Sequence, residues 1–312
     1  MRKKILFLSS DDIALNTILA LHQQYDITVV SKADKPKKRS GQAQANVLVE
    51  ALKKDPAGQL IPIIKISQKE KEWWQQWSAD QFSAVITFSF GMILPADFLD
   101  YWHMPTINIH PSLLPQWRGP SPLQAALLHN QNHTALTYML MSAGMDEGDI
   151  LRQIKFSIDP DWTILKLRQA VAKLSEVSII PFLQDWQANK IIAIRQDNNQ
   201  ATYCSMISKD DGRIDWQQSA EDIYNQYRAY INWPGVFTTW QNKLLFLRNI
   251  RPIETTLDNL PGQVTLTKDK KVQISCGQGA IEVLELQLAG KKKLAADDFL
   301  RGHATFIHAR LI

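Results

Sequence analysis

The chain has 312 residues, 45% of them hydrophobic and 21% charged, with a formal net charge of +4. This is the balance of a soluble globular protein long enough for two domains. No apolar run approaches the roughly 18 residues of a membrane span, Cys204 and Cys276 are too far apart in sequence to suggest a metal or disulfide framework, and a reducing cytoplasm is expected.

The basic start MRKK runs into a short apolar stretch and then Asp11 and Asp12, which reads as a first strand rather than a secretion signal. KILFLS, ITVV, LIPIIK, SAVITFS and PTINIH then recur as short runs rich in Ile and Val, the signature of buried strands. IALNTILALHQQ and ANVLVEALKK between them carry helical spacing. Strands alternating with helices predict an α/β fold with a Rossmann-like, mostly parallel sheet. ALTYMLM and DILRQIKFSI add strands at one edge. A long helix comes next over 161–187, with Asp161 as its cap and Leu165, Leu167, Val171, Leu174 and Val177 as its apolar face.

Residues 1–188 are therefore expected to form one domain, and the polar stretch 189–210 a linker. In 211–312, one helix near SAEDIYNQYRAYI precedes five closely spaced strands with glycine turns, which predicts a small OB-like β-barrel.

The turn after the first strand is Ser9-Ser10-Asp11-Asp12. Acids without glycine make a poor pyrophosphate cradle, so a nicotinamide or flavin cofactor is not expected there. The second strand leads into KADKPKKRSG, where Lys32, Lys35, Lys37, Lys38 and Arg39 are basic. Such a loop is often only solvated, but at the carboxyl edge of a doubly wound sheet it is placed to meet phosphates. SAVITFSFGMILP puts a buried strand before a turn at Phe90-Gly91, which can offer backbone groups to a flat ligand.

Asn108 and His110 are two apart on a strand, so alternation sets both on one face, opposite Ile107 and Ile109. Prolines 111, 115, 120 and 122 stiffen the loop after that strand. Asp146 lies on a glycine-flanked turn and could be only a turn residue. An amide, an imidazole and a carboxylate gathered at strand ends can stabilise an oxyanion and move a proton, which is the chemistry of acyl transfer.

Together, Asn108-Ile109-His110, Ser112-Leu113-Leu114-Pro115 and the turn Gly144-Met145-Asp146-Glu147-Gly148-Asp149 resemble the folate-dependent formyltransferases. GRIDW at 212–216, Trp233-Pro234 and LQLAGKKKLAADDFLRG at 286–302 resemble the carboxyl-terminal domain of the methionyl-tRNA formyltransferases, and the segment with Asp34, Pro36 and Arg39 resembles their inserted loop. The sequence departs from them in the turn after the first strand and in GQAQAN at 41–46, where prolines are usual.

The resemblance implies 10-formyltetrahydrofolate as donor, initiator methionyl-tRNA as acceptor and no metal. It implies Asn108, His110 and Asp146 as catalytic residues, with Asp146 favouring the imidazolium of His110. The donor would lie along Phe88, Phe90, Gly91, Ile93, Ser112, Leu113, Leu114 and Pro115, and the tRNA along Lys35, Lys37, Lys38, Arg39, Lys291, Lys292 and Lys293. A monomer without membrane attachment is expected. Enzymes that formylate a nucleotide sugar or glycinamide ribonucleotide, a folate hydrolase, or an RNA-binding protein with a dead site are the alternatives. The second domain and the basic loop favour the tRNA.

Overall fold

The computed structural model describes residues 2–36, 43–67, 69–255 and 259–312, with the side chains at 35, 36, 43 and 44 outside that set. The chain divides into two compact units. The first comprises residues 1–122, 133–157 and 167–205, the second 123–132, 158–166 and 206–312.

The first unit is built on strands β1 (Lys4–Leu8), β2 (Asp26–Lys32), β5 (Ile63–Ile66), β6 (Ala84–Phe88), β7 (Ile107–His110), β8 (His133–Leu140) and β9 (Ile150–Ser157), with a small hairpin of β3 (Lys35–Pro36) and β4 (Ala43–Gln44) after β2. The seven strands run in the order β5-β2-β1-β6-β7-β8-β9. Pairing is parallel from β5 to β7 and antiparallel for β7–β8 and β8–β9. A parallel strand covered on both faces has no polar side to show. Ile5, Leu6, Phe7 and Leu8 of β1 are accordingly all fully buried, as are all five residues of β6. Chain order reverses between β1 and β6, and the crevice at the carboxyl ends of such strands is where ligands bind in this architecture.

Helices α1 (Leu15–His22), α2 (Val47–Lys54) and α3 (Ala96–Tyr101) fall in this part of the chain, and α4 is Pro122–Leu128. Asn46 starts α2 by accepting the Leu48 and Val49 amides, the role of a short polar side chain at an N-cap. Helix α5 spans Ile164–Gln187 and begins three residues later than the sequence suggests. Asp161 lies before the N-cap position, in a turn that its amide closes onto the Asp159 carboxylate. The buried stripe also differs. Leu165 and Val177 face solvent, while Leu167, Val171, Ser175, Ser178, Ile179 and Phe182 are buried. Ser175 and Ser178 belong inside because Thr17 and Tyr138 hydrogen-bond to them at 2.6 and 2.8 Å.

In the second unit, α6 (Ala220–Tyr230) is capped by Ser219, whose hydroxyl accepts the Asp222 amide. An antiparallel sheet comes after it, of β10 (Val236–Trp240), β11 (Lys243–Ile253), β12 (Val264–Leu266), β13 (Val272–Ser275), β14 (Ala280–Leu288) and β15 (Leu294–Ala295), then α7 (Ala296–Gly302). The order is β10-β11-β14-β13-β12, with β15 on β14. Residues 308–312 bridge the two outer strands. Val264 N–H donates to Ala309 O and Leu311 N–H to Gly262 O on the β12 side, and Thr239 N–H donates to Ile312 O on the β10 side. The chain's last residues thus join the ends of the sheet into a small barrel.

Candidate active site

Three loops meet at the carboxyl end of β6 and β7. The first comes after β6, where Ser89 (φ 51°) and Gly91 (φ 65°) turn the chain with left-handed backbone. A Cβ at Gly91 would lie 2.7 Å from Lys32 Nζ, so glycine lets that ammonium stand over the turn. Phe88 and Phe90 are buried, with Phe90 in the aromatic core beside Trp74, Phe98 and Trp102, while Gly91 and Ile93 are exposed. Of the residues expected to bind a flat ligand here, Gly91 and Ile93 reach solvent, whereas the two phenylalanine side chains serve the core.

The second loop comes after β7. Ser112 is buried, its hydroxyl donating to Gln116 O at 2.6 Å and its carbonyl accepting from Thr137 at 2.6 Å. Leu114 is buried, Leu113 and Pro115 are half-buried, the Leu114–Pro115 peptide is cis, and Gln153 donates to Leu114 O at 2.8 Å. The third loop is the Gly144–Asp149 turn, in which Asp146 has φ 51°. Gly148 permits its closure, since a Cβ there would fall 2.0 Å from Leu140 O.

Asp146 joins the three polar side chains. Its Oδ1 accepts Asn108 Nδ2 at 3.2 Å, and its Oδ2 accepts the Gly119 amide at 2.8 Å and faces His110 Nδ1 at 3.5 Å. Gly119 (φ 120°) has to be glycine, because a Cβ would lie 2.3 Å from Cys204 O. Thr87 on β6 donates to Asn108 Oδ1 at 2.7 Å, which orients the amide with its nitrogen toward Asp146. His110 is buried, and its Nε2 lies 3.0 Å from Trp117 O. A carbonyl only accepts, so Nε2 carries a hydrogen, and a second hydrogen on Nδ1 turns the Asp146 contact into a charge-assisted bond. Asn108, His110 and Asp146 are thus brought together, with the carboxylate between the amide and the imidazole.

Thr87, Trp117, Arg118, Gly119, Gln196 and Thr202 were not among the residues singled out from the sequence. Of the stretch 189–210, expected to be a linker, residues 189–205 belong to the first unit. Ile194 and Ile150 exchange backbone hydrogen bonds at 2.8 Å, and Arg118 N–H donates to Thr202 O.

The basic positions Lys37, Lys38 and Arg39 lie outside the described residues, and of Lys35 only the backbone is described, paired with Gln44. Lys291, Lys292 and Lys293 sit exposed between β14 and β15, where Lys293 pairs with Glu285 at 2.9 Å. Among the described residues no group of three or more His, Cys, Asp or Glu is arranged to hold a metal, and no helix is long and apolar enough to cross a membrane.

The chain is similar to known proteins over nearly its whole length. Residues 3–183 match the family described as formyl transferase, and residues 206–304 match the formyl transferase C-terminal domain. The methionyl-tRNA formyltransferase of Geobacter metallireducens is 32% identical over 301 residues, covering 96% of this chain and 95% of its own. Among solved structures, WlaRD, a sugar 3N-formyl transferase crystallised with dTDP and 5-N-formyl-THF, superposes with a TM-score of 0.66 at 20% identity over 94% of this chain and 100% of its own. HypX from Aquifex aeolicus in complex with tetrahydrofolic acid gives 0.63 at 18% identity over 96% of this chain, which spans 47% of HypX. At these identities the two structures speak for the fold alone.

Proposed function

Because the chain belongs to the formyl transferase family, we propose that it moves the formyl group of 10-formyltetrahydrofolate onto the α-amine of initiator methionyl-tRNA, giving N-formylmethionyl-tRNA. The observation that carries this reading is the convergence of Asn108, His110 and Asp146 at the carboxyl edge of the sheet, in a chain similar along nearly its whole length to a methionyl-tRNA formyltransferase.

The amine nitrogen attacks the formyl carbon, a new C–N bond forms and negative charge builds on the formyl oxygen. The Asn108 amide gives one N–H to Asp146 and keeps a second for that oxygen. His110 reaches the same oxygen by exchanging its bond to the Trp117 carbonyl. Asp146 holds both donors in place, bonded to the Asn108 amide and facing the His110 ring. The bond from the folate nitrogen to the formyl carbon then breaks, and the proton lost by the amine passes to that nitrogen through a water ordered by Asp146.

The exposed Gly91 and Ile93 and the half-buried Leu113 and Pro115 support a donor site along these two loops. The tRNA is held by the segment from Lys35 to Arg39 and by the exposed Lys291 and Lys292. The free Cys204 and Cys276 support a reducing, cytoplasmic setting.

The test is to mix the protein with 10-formyltetrahydrofolate and charged initiator tRNA, monitoring both tetrahydrofolate release and formylmethionyl-tRNA. Equal amounts of both products are expected. Tetrahydrofolate and formate without formylated tRNA would show a hydrolase, and neither product would sink the reading.

A further inference from the structure

The stretch RQDNNQATYC at 195–204 is polar and mostly exposed, yet one of its side chains is buried against the catalytic turn. Gln196 is 5% exposed and makes four hydrogen bonds. Its amide nitrogen donates to Asp146 O at 2.8 Å and to Gly148 O at 2.7 Å. Its oxygen accepts Arg118 Nε at 3.0 Å and Nη2 at 2.9 Å. The orientation is forced, since a guanidinium only donates and backbone carbonyls only accept.

Arg118 is 1% exposed. Asn198 Oδ1 at 2.8 Å and the Tyr203 hydroxyl at 3.3 Å take its remaining bonds. Its neighbours in sequence are fixed by the same strap. Trp117 N–H donates to Thr202 Oγ1, Arg118 N–H to Thr202 O and Cys204 N–H to Arg118 O, at 2.9, 2.9 and 2.8 Å.

Thus residues 196–204 bind two catalytic loops at once: the one whose Trp117 carbonyl holds His110, and the one whose Asp146 faces it. Asp146 sits in left-handed backbone, which aspartate tolerates better than most side chains. The two bonds from Gln196 hold that turn on either side of Glu147. Gln196 cannot swing away without leaving a buried guanidinium short of acceptors, which is strongly unfavourable. A buried charge held by neutral oxygens is a poor way to stabilise a fold, but a polar network in which each guanidinium nitrogen has a partner favours one rigid arrangement.

We propose that Gln196, oriented by Arg118, is a positioning residue for formyl transfer, setting Asp146 at the place where it organises Asn108 and His110. The proposal rests on the formyl transfer to methionyl-tRNA proposed for this chain. Neither residue needs to touch donor or acceptor, so the effect belongs in turnover and not in binding. Small displacements of a reacting group cost up to about 100-fold in rate.

The test compares the full-length wild-type chain with Gln196→Met, Arg118→Lys and Asn198→Ala in the formylmethionyl-tRNA assay, with melting temperatures taken alongside. Gln196→Met keeps the length and loses every hydrogen bond. Its kcat is expected to fall roughly 10- to 100-fold, with KM for donor and tRNA within about twofold of wild type. Arg118→Lys, which cannot span Gln196 and Asn198 together, is expected to behave the same way. Asn198 is exposed and gives Arg118 a single acceptor, so Asn198→Ala is expected to fold and to lose about 2- to 5-fold in kcat alone. A wild-type kcat in Gln196→Met, or a loss appearing only in KM, would overturn the proposal. If Gln196→Met does not fold, Asn198→Ala decides, and an unchanged kcat there overturns it. A wild-type chain that forms no formylated tRNA is a different failure, that of the activity itself, and the proposal falls with it.

Discussion

His110 Nδ1 and Asp146 Oδ2 face each other at 3.5 Å, and the same oxygen takes the Gly119 amide at 2.8 Å. One carboxylate therefore positions the imidazole and anchors the loop beyond it. Asp146→Asn keeps the shape but offers one oxygen where two are used. Turnover is expected to fall by about 100-fold or more, with tRNA affinity within a factor of two to three. His110→Ala is expected to lose as much. Wild-type turnover in either variant would remove the trio from the mechanism.

Thr87 acts one step behind Asn108. Its hydroxyl fixes the amide by donating to Oδ1 at 2.7 Å. Thr87→Val preserves shape and removes that bond, so the amide is held by its bond to Asp146 with its oxygen left short of a donor. A loss of about 1–2 kcal/mol in transition-state stabilisation is expected, roughly tenfold in kcat/KM. Equal kinetics in Thr87→Val and wild type would show that Asp146 alone sets the amide.

The parts of the fold that the sequence shows plainly are those written in periodicity. The strands of the seven-stranded sheet are largely apolar runs between turns, and Asn108 and His110 share a face because strand side chains alternate. What the sequence hides is polar residues buried by partners far along the chain. Ser175 and Ser178 look like the wet side of α5, yet Thr17 and Tyr138 draw them inside. Gln196 looks like one more polar residue of a linker, and only the distant carbonyls of Asp146 and Gly148 make it internal. Asp146 itself stands out as a turn acid, but its meeting with His110 is a property of three loops and of no local pattern.

If the exposed lysines between β14 and β15 meet RNA, the contact is chiefly to phosphate. Lys291→Ala with Lys292→Ala is then expected to raise KM for tRNA, to leave KM for the folate donor unchanged and to reduce the salt dependence of tRNA binding by up to two charges' worth. Arg39→Ala is expected to lower kcat/KM for tRNA as well. Binding that is indifferent to salt in a fluorescence titration would argue against phosphate contacts at both places.

The turn after β1, too acidic for a pyrophosphate, has a structural role. Burial by itself raises the Asp11 carboxyl, but the Arg168 guanidinium and then the Ile13 amide offset this and hold it below the ordinary carboxylate range. Arg168 Nη2 reaches Asp11 at 2.5 Å and Asp12 at 2.7 Å. The folded value is below the unfolded one, so the ionised carboxylate stabilises the fold at neutral pH. That contribution is lost as pH falls through the lowered value. Arg168→Gln is expected to lower stability by roughly 1 kcal/mol at pH 7, with the gap to wild type narrowing as pH falls through the ordinary carboxylate range toward the lowered value. A gap that stays constant from pH 7 to pH 3 in denaturant titrations would mean the pair contributes nothing through charge.

The barrel of the second unit depends on its last residues. Leu311 is buried, and the hydrogen bonds of 308–312 reach β12 on one side and β10 on the other. Leu311→Ala removes a core side chain at the seam, at a cost of about 2–4 kcal/mol. Deleting 308–312 also strips both outer strands of their partners, and unpaired strand edges invite fraying and association. The deletion is expected to speed amide hydrogen exchange first at Thr239 and Val264, which donate to Ile312 and Ala309, while the centre of β1 keeps its protection. Unchanged exchange at Thr239 and Val264 would show that the barrel is held without its seam.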